Sequence, residues 1–173
     1  MPRMVLEVDY KRCTGCHACE LICALAHSGV VRPTASAIRI ASSSDHGVNI
    51  PLVCVSCRER PCLEACPVGA IRLDERLKVP VIDAETCTGC QACIAACPYE
   101  GIFFDPASGK AIKCDLCGGD PLCAQACVGA FDMPGALHAV NLEEKDEESY
   151  VQRVQERLSA FLQLKDKGES HGR

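Results

Sequence analysis

The chain has 173 residues with a formal net charge of −5, and 16 of its residues are cysteine, against no Trp, four Phe and three Tyr. That length suits one domain or two small interleaved ones, and an acidic chain of this kind argues against a nucleic-acid partner. Hydrophobic residues make up 48% of it, but only roughly two-fifths once cysteine is set aside, so something other than large side chains must fill the core.

The opening residues MPRMVLEVDY have no apolar signal-peptide core and no twin-arginine pair, and no apolar run approaches a membrane span. A cytoplasmic location is the expectation, and there sixteen cysteines are reduced thiols that hold metal rather than disulfides. Residues 4–9 alternate apolar and polar as a strand does, and they deliver Cys13 to a first run, Cys13, Cys16, Cys19 and Cys23. A helix is expected from His17 to about His27, with Gly29 as its stop. Residues 30–51 read as a spacer with one strand at 37–41 and a polar loop at 42–47.

A second run follows (Cys54, Cys57, Cys62, Cys66), then a third (Cys87, Cys90, Cys93, Cys97) and a fourth (Cys114, Cys117, Cys123, Cys127). The second and third end in proline and lead into short apolar strands at 70–73 and 102–104, while strands at 79–83 and 111–113 feed the next runs. This is an internal repeat of about thirty residues, made of a cysteine loop, a one-turn helix and two strands. A last strand is expected at 136–140. Beyond it, Tyr150, Val151, Val154, Leu158, Phe161 and Leu162 recur at helical spacing, with acidic residues early and Arg153, Arg157 and Lys165 late. That apolar stripe packs either on its own body or on a neighbouring subunit, and the residues from about 166 form a flexible tail.

The third run, CTGCQACIAACP, has the spacing that ligates 4Fe-4S clusters. Three sulfurs two residues apart wrap one face of a cube, and the fourth reaches a second cluster. Four runs of four use every cysteine, so four 4Fe-4S clusters are expected, bringing the loaded charge to about −13. The clusters would fill the core, and the apoprotein would be poorly folded. Zinc also binds paired C-x-x-C motifs, but zinc sites usually use two separated pairs rather than three consecutive two-residue gaps. No dinucleotide loop, phosphate loop or nucleophile with a base is recognisable, so no catalytic residue is expected. Lys11, Arg12, Arg58, Arg60 and Lys113 adjoin cysteines and could raise a cluster potential, although ordinary solvated charge is the plainer reading of each. His17, inside the first run, is surplus to four thiolates. His27, His46, His138 and His171 read as surface residues, and Met133 as packing.

Over residues 5–140 the chain resembles the four-cluster ferredoxin-like electron-transfer subunits of the dimethyl-sulfoxide-reductase type. The resemblance implies an α+β fold of two interleaved bacterial-ferredoxin-like modules, with an outer module at 1–30 and 108–141 enclosing an inserted one at 50–107. The four-cluster domain would span 1–141 and the C-terminal helix 142–165. It also implies the ligand sets: Cys13, Cys16 and Cys19 with Cys127; Cys114, Cys117 and Cys123 with Cys23; Cys54, Cys57 and Cys62 with Cys97; and Cys87, Cys90 and Cys93 with Cys66. The opening CTGCHACELICALAH and the KCDLCGGDP of the fourth run look most like the small subunits of tungsten-dependent aldehyde oxidoreductases. Those wire a tungsten or molybdenum pterin catalytic subunit to a flavin subunit that exchanges electrons with NAD. Subunits of carbon monoxide dehydrogenase, hydrogenase or benzoyl-coenzyme A reductase complexes, and a free polyferredoxin, are the alternatives. Self-association into a longer wire is a further expectation.

Overall fold

The computed structural model describes residues 3–43, 47–129 and 134–166. His46, Met133, His171 and the tail expected beyond Asp166 lie outside them. Among the described residues, eight strands form four two-stranded antiparallel sheets: β1 (Arg3–Val8) with β8 (Leu137–Leu142), β2 (Ile38–Ser43) with β3 (Val48–Val53), β4 (Ile71–Asp74) with β5 (Val79–Ile82), and β6 (Ile102–Asp105) with β7 (Lys110–Lys113). Also among these residues are the helices α1 (Ala18–Ser28), α2 (Pro61–Glu64), α3 (Ala92–Ala95), α4 (Leu122–Gly129) and α5 (Glu147–Asp166). The mixture is α+β.

The repeat is visible in the turns. Asp74 ends β4, and its carboxylate accepts from the amides of Arg76 (2.9 Å) and Leu77 (2.8 Å). Asp105 ends β6 and accepts likewise from Ala107 (3.3 Å) and Ser108 (3.2 Å). Both turns close through the backbone, Lys78 to Asp74 and Gly109 to Asp105, and both closing residues are left-handed. Gly109 adopts that conformation without strain, whereas Lys78 pays for it with its Cβ.

Two expectations are corrected. The spacer between the first and second runs holds a second strand, β3, and β2 runs on through Ser42 and Ser43, which read as loop. β3 contains Pro51, and proline cannot donate to a ladder. It sits opposite Ile40 in a two-stranded sheet, where one of its sides needs no partner. The second correction is in the C-terminal helix, whose buried face is Tyr150, Val154, Arg157, Phe161 and Leu164. Arg157 is 4% exposed, so it belongs to the stripe and not to the solvated end, while Leu162 is 43% exposed.

α5 packs on its own chain. Tyr150 and Val154 meet Val5, Val55 and Leu142, while Phe161 and Leu164 meet Ala41, Ile50 and Leu52. Ion pairs stitch it down at Arg3–Glu147 (2.5 Å), Arg153–Glu7 (2.5 Å) and Lys165–Glu100 (3.1 Å). Among the described residues, no helix is long and apolar enough to cross a membrane.

Candidate metal centres

Each cysteine run follows one local plan. The residue before the second cysteine is left-handed: Gly15, Ser56, Gly89 and Leu116, with φ of 71°, 49°, 71° and 59°. That bend folds the two-residue gap so that the sulfurs flanking it turn to one side. The third cysteine is then the second residue of a helix, Cys19 in α1, Cys62 in α2, Cys93 in α3 and Cys123 in α4. The fourth lies one turn on, facing elsewhere. Each fourth sulfur receives a backbone N–H from the residue just before the next strand: Ala37 to Cys23 (3.4 Å), Ala70 to Cys66 (3.2 Å), Gly101 to Cys97, and Ala136 to Cys127 (3.1 Å).

This plan makes four cavities, each walled by four thiols. Site I holds Cys13, Cys16, Cys19 and Cys127; site II Cys23, Cys114, Cys117 and Cys123; site III Cys54, Cys57, Cys62 and Cys97; site IV Cys66, Cys87, Cys90 and Cys93. These are the sets into which the resemblance sorts the cysteines. The rest of the walls is largely apolar: Ile40, Pro51 and Leu137 in I, Ile38 and Val53 in II, Val55 and Ile102 in III, Ile71 and Ile82 in IV. Four soft sulfurs in a dry pocket suit iron–sulfur chemistry.

The cavities form a line. α1 carries Cys19 of site I and Cys23 of site II, and α4 carries Cys123 of II and Cys127 of I. α2 carries Cys62 of III with Cys66 of IV just beyond its end, and α3 likewise carries Cys93 of IV and leads to Cys97 of III. Sites II and III meet at Cys114, whose charging the nearby Cys54 makes costlier. The order is therefore I, II, III, IV, and an exposed cysteine marks each end, Cys16 in I and Cys90 in IV.

Burial pushes the bare thiols up, Cys62 to about 11 and Cys123 to about 12, with Cys19 and Cys114 also raised. Empty sites would hold protons, which a metal must displace.

Of the five cations adjoining cysteines, Lys11, Arg12 and Arg58 are exposed and paired with Glu156, Asp9 and Glu147. Arg60 is half-buried and donates to the Lys78 carbonyl (3.4 Å). Lys113 differs: 9% exposed, it lines site III and donates to the carbonyls of Pro80 (2.6 Å) and Cys114 (3.1 Å). Burial works against its charge, yet the attraction of Cys54 and neighbouring thiols outweighs this and raises its pKa.

His17 bonds Glu20 (2.7 Å), a buried carboxylate that also accepts from the Ile40 amide. His27 is a surface residue, but its Nε2 lies 3.4 Å from the Cys117 sulfur and 3.6 Å from the Asp115 carboxylate. Sequence reasoning missed Glu20, His27 and the four amide donors. The donors had a signal, a small residue followed by Ile or Leu after every run, at 37–38, 70–71, 101–102 and 136–137.

Residues 46–136 match the 4Fe-4S dicluster domain family, and residues 10–26 match a 4Fe-4S binding domain. The chain belongs to the 4Fe-4S dicluster domain family. Its relatives include the aliphatic sulfonate oxidoreductase polyferredoxin-like subunit of Pyrococcus furiosus, 40% identical over 72% of this chain and 72% of that one. Another relative is the thiosulfate reductase electron transfer subunit PhsB of Salmonella typhi, 30% identical over 96% of this chain and 93% of that one. Among solved structures, a chain of the benzoyl coenzyme A reductase active-site complex with 1,5-dienoyl-CoA is 24% identical over 94% of this chain and 95% of its own, with a TM-score of 0.48.

Proposed function

We propose that sites I to IV each hold one 4Fe-4S cluster on the four cysteines named for them, and that the chain is a non-catalytic electron-transfer subunit of an oxidoreductase complex. The observation that carries this is the line of four all-thiol cavities with an exposed cysteine at either end. Each cluster, when bound, takes up and gives back a single electron. The chain's own part is to hold the sulfurs, keep water away with apolar walls, and donate N–H bonds to the fourth cysteine of every run.

In the finer reading, the subunit wires a tungsten or molybdenum pterin aldehyde oxidoreductase subunit to a flavin or other redox subunit in the cytoplasm. The motifs of the first and fourth runs support that partner, and the naming of relatives as subunits of oxidoreductases supports the wider class. The two-module nesting, 1–30 and 108–141 around 50–107, belongs to the same proposal.

Anaerobic purification tests it. About sixteen irons and as many acid-labile sulfides per chain are expected, with a brown colour bleached by dithionite. Colourless protein, or far fewer irons, would overturn the reading. For the partner, affinity purification of the tagged chain from its native host should bring down a pterin-containing oxidoreductase subunit, and recovery of a different catalytic subunit would replace it.

A further inference from the structure

The four cavities hold the same ligands, so what separates them is the charge buried around them. Beside site I the nearest buried charge is the carboxylate of Glu20, which acts on Cys13 and Cys19. Beside site II stands the half-buried Asp115, which acts on Cys117 and Cys23 and lies 3.6 Å from the exposed His27, while Asp120 is exposed. The residues lining site IV are uncharged, and the half-buried Lys110, whose ammonium reaches the Cys87 carbonyl, is partly screened by solvent.

Site III is the exception. Lys113 lines it, and the buried Arg157 of α5 acts first on Tyr150, whose hydroxyl donates to the Val55 carbonyl in the site III wall, and then on Cys54. Among the described residues, no carboxylate lies within ion-pair distance of either Lys113 or Arg157. Arg3 is also buried there, donating to the carbonyls of Val55 and Ser56, but Glu147 neutralises it. Glu59 beside Cys57 is exposed, and so is Arg58. Two bare cations in a dry interior normally find a carboxylate or lose their charge. Among the described residues, the thiolates that act on them are Cys54, which acts on both, and Cys114 of site II and Cys62 of site III, which act on Lys113.

We propose that Lys113 and Arg157 make site III the highest-potential centre of the four, so that an electron entering at either end comes to rest there. The inference rests on the reading of the cavities as 4Fe-4S sites. Reduction adds one electron and makes the cluster with its thiolates more negative, from about −2 to −3, with no bond made and no proton taken up. The donor is the adjoining oxidoreductase subunit, or dithionite in the test. A fixed cation in low dielectric favours the more negative state. Lys113 also eases the charging of Cys114 in site II, but there Asp115 works against it on Cys23 and Cys117, so the resting place is the third site and not an end.

The experiment is a potentiometric titration of the full-length, anaerobically loaded chain, followed by electron paramagnetic resonance. In the unaltered protein one centre should be reduced first, its reduced-to-oxidised ratio at least tenfold above the next, or about 59 mV for one electron. Lys113→Met and Arg157→Met should each lower that centre by tenfold or more in the same ratio and leave the other three in place, while Lys113→Arg should keep it high. Four centres within tenfold of one another in the unaltered chain would overturn the proposal. So would variants that shift a lower centre, or all four equally. The unaltered-protein result stands even if a variant fails to fold. An iron content far below sixteen there would instead count against the cluster reading itself, and the proposal falls with it.

Discussion

Gly101 holds in the third repeat the place that Ala37, Ala70 and Ala136 hold in the others, donating to the fourth sulfur and opening a strand. Its φ is ordinary, so it is not glycine for the sake of a turn. A Cβ there would lie 2.7 Å from the Cys54 Cα and 2.8 Å from the Cys54 nitrogen, and backbone cannot swing aside as a side-chain tip can. Gly101→Ala must therefore push β6 away from the loop that opens site III. The expected cost is about 1–3 kcal/mol from overpacking, seen as a lower thermal midpoint together with partial loss of iron. Gly109→Ala is the contrast. Its Cβ would meet open space, so only the left-handed φ of 69° is strained, at about 1 kcal/mol, and iron should stay at its full complement. Leu116 shows the same tension left unrelieved, a bulky left-handed residue that the core pins at 1% exposure.

At the scale of elements, α5 works as a strap, its first half over β1, β8 and the site III loop and its second half over the β2–β3 sheet. The Tyr150 hydroxyl donates to the Val55 carbonyl (3.0 Å), so the strap touches the backbone between Cys54 and Cys57. Phe161→Ala should cost about 3–5 kcal/mol, or roughly a 10 °C fall in the melting midpoint by circular dichroism for a chain of this size. The joint between the first spacer and the β6–β7 turn is ionic. Arg32 reaches the buried Asp105 at 2.9 Å. Burial alone would raise that carboxyl, but hydrogen bonds from Ser108 and Ala107 and the charge of Arg32 outweigh it and hold the pKa below the usual range. A depressed carboxyl stabilises the fold fully above its unfolded value of about 3.9, and this is lost as pH falls through the folded value. The stability gap between the native chain and Asp105→Asn should thus be constant from neutral pH down to about 4 and close below it, as followed by acid unfolding. Elements announced by local pattern were legible in the sequence: α1 with its Gly29 stop, the hairpin strands after the second and third runs, and the helical period of α5. What escaped depends on distant neighbours. β3 was hidden by Pro51, whose tolerance follows from having one partner strand. The burial of Lys113 and Arg157 is set by a loop some 60 to 100 residues away in the chain, and nothing in their immediate neighbours announces it.

For the molecule as a whole, the line of cavities places its weakest points at its two ends. The cysteines of sites II and III are buried or half-buried, whereas sites I and IV each leave one cysteine, Cys16 or Cys90, open to solvent. Electron transfer to a partner needs such openings, because a wall that excludes water also keeps a partner's acceptor at a distance. The same openings admit a chelator or oxygen. Loss of iron to a water-soluble ferrous chelator after brief exposure to air should therefore be biphasic, with about half the iron leaving quickly from the end sites and the rest slowly. Alkylation with iodoacetamide between the phases should label cysteines of sites I and IV, Cys16 and Cys90 among them, and spare those of II and III, as peptide mass spectrometry would show. Because Tyr150 of α5 packs on Val55 between Cys54 and Cys57 and donates to its carbonyl, Tyr150→Ala should accelerate the slow phase and leave the fast one unchanged. A single phase, or labels spread evenly over all four sets, would mean that exposure of the end cysteines does not govern access, and the ends would lose their claim to be the ports.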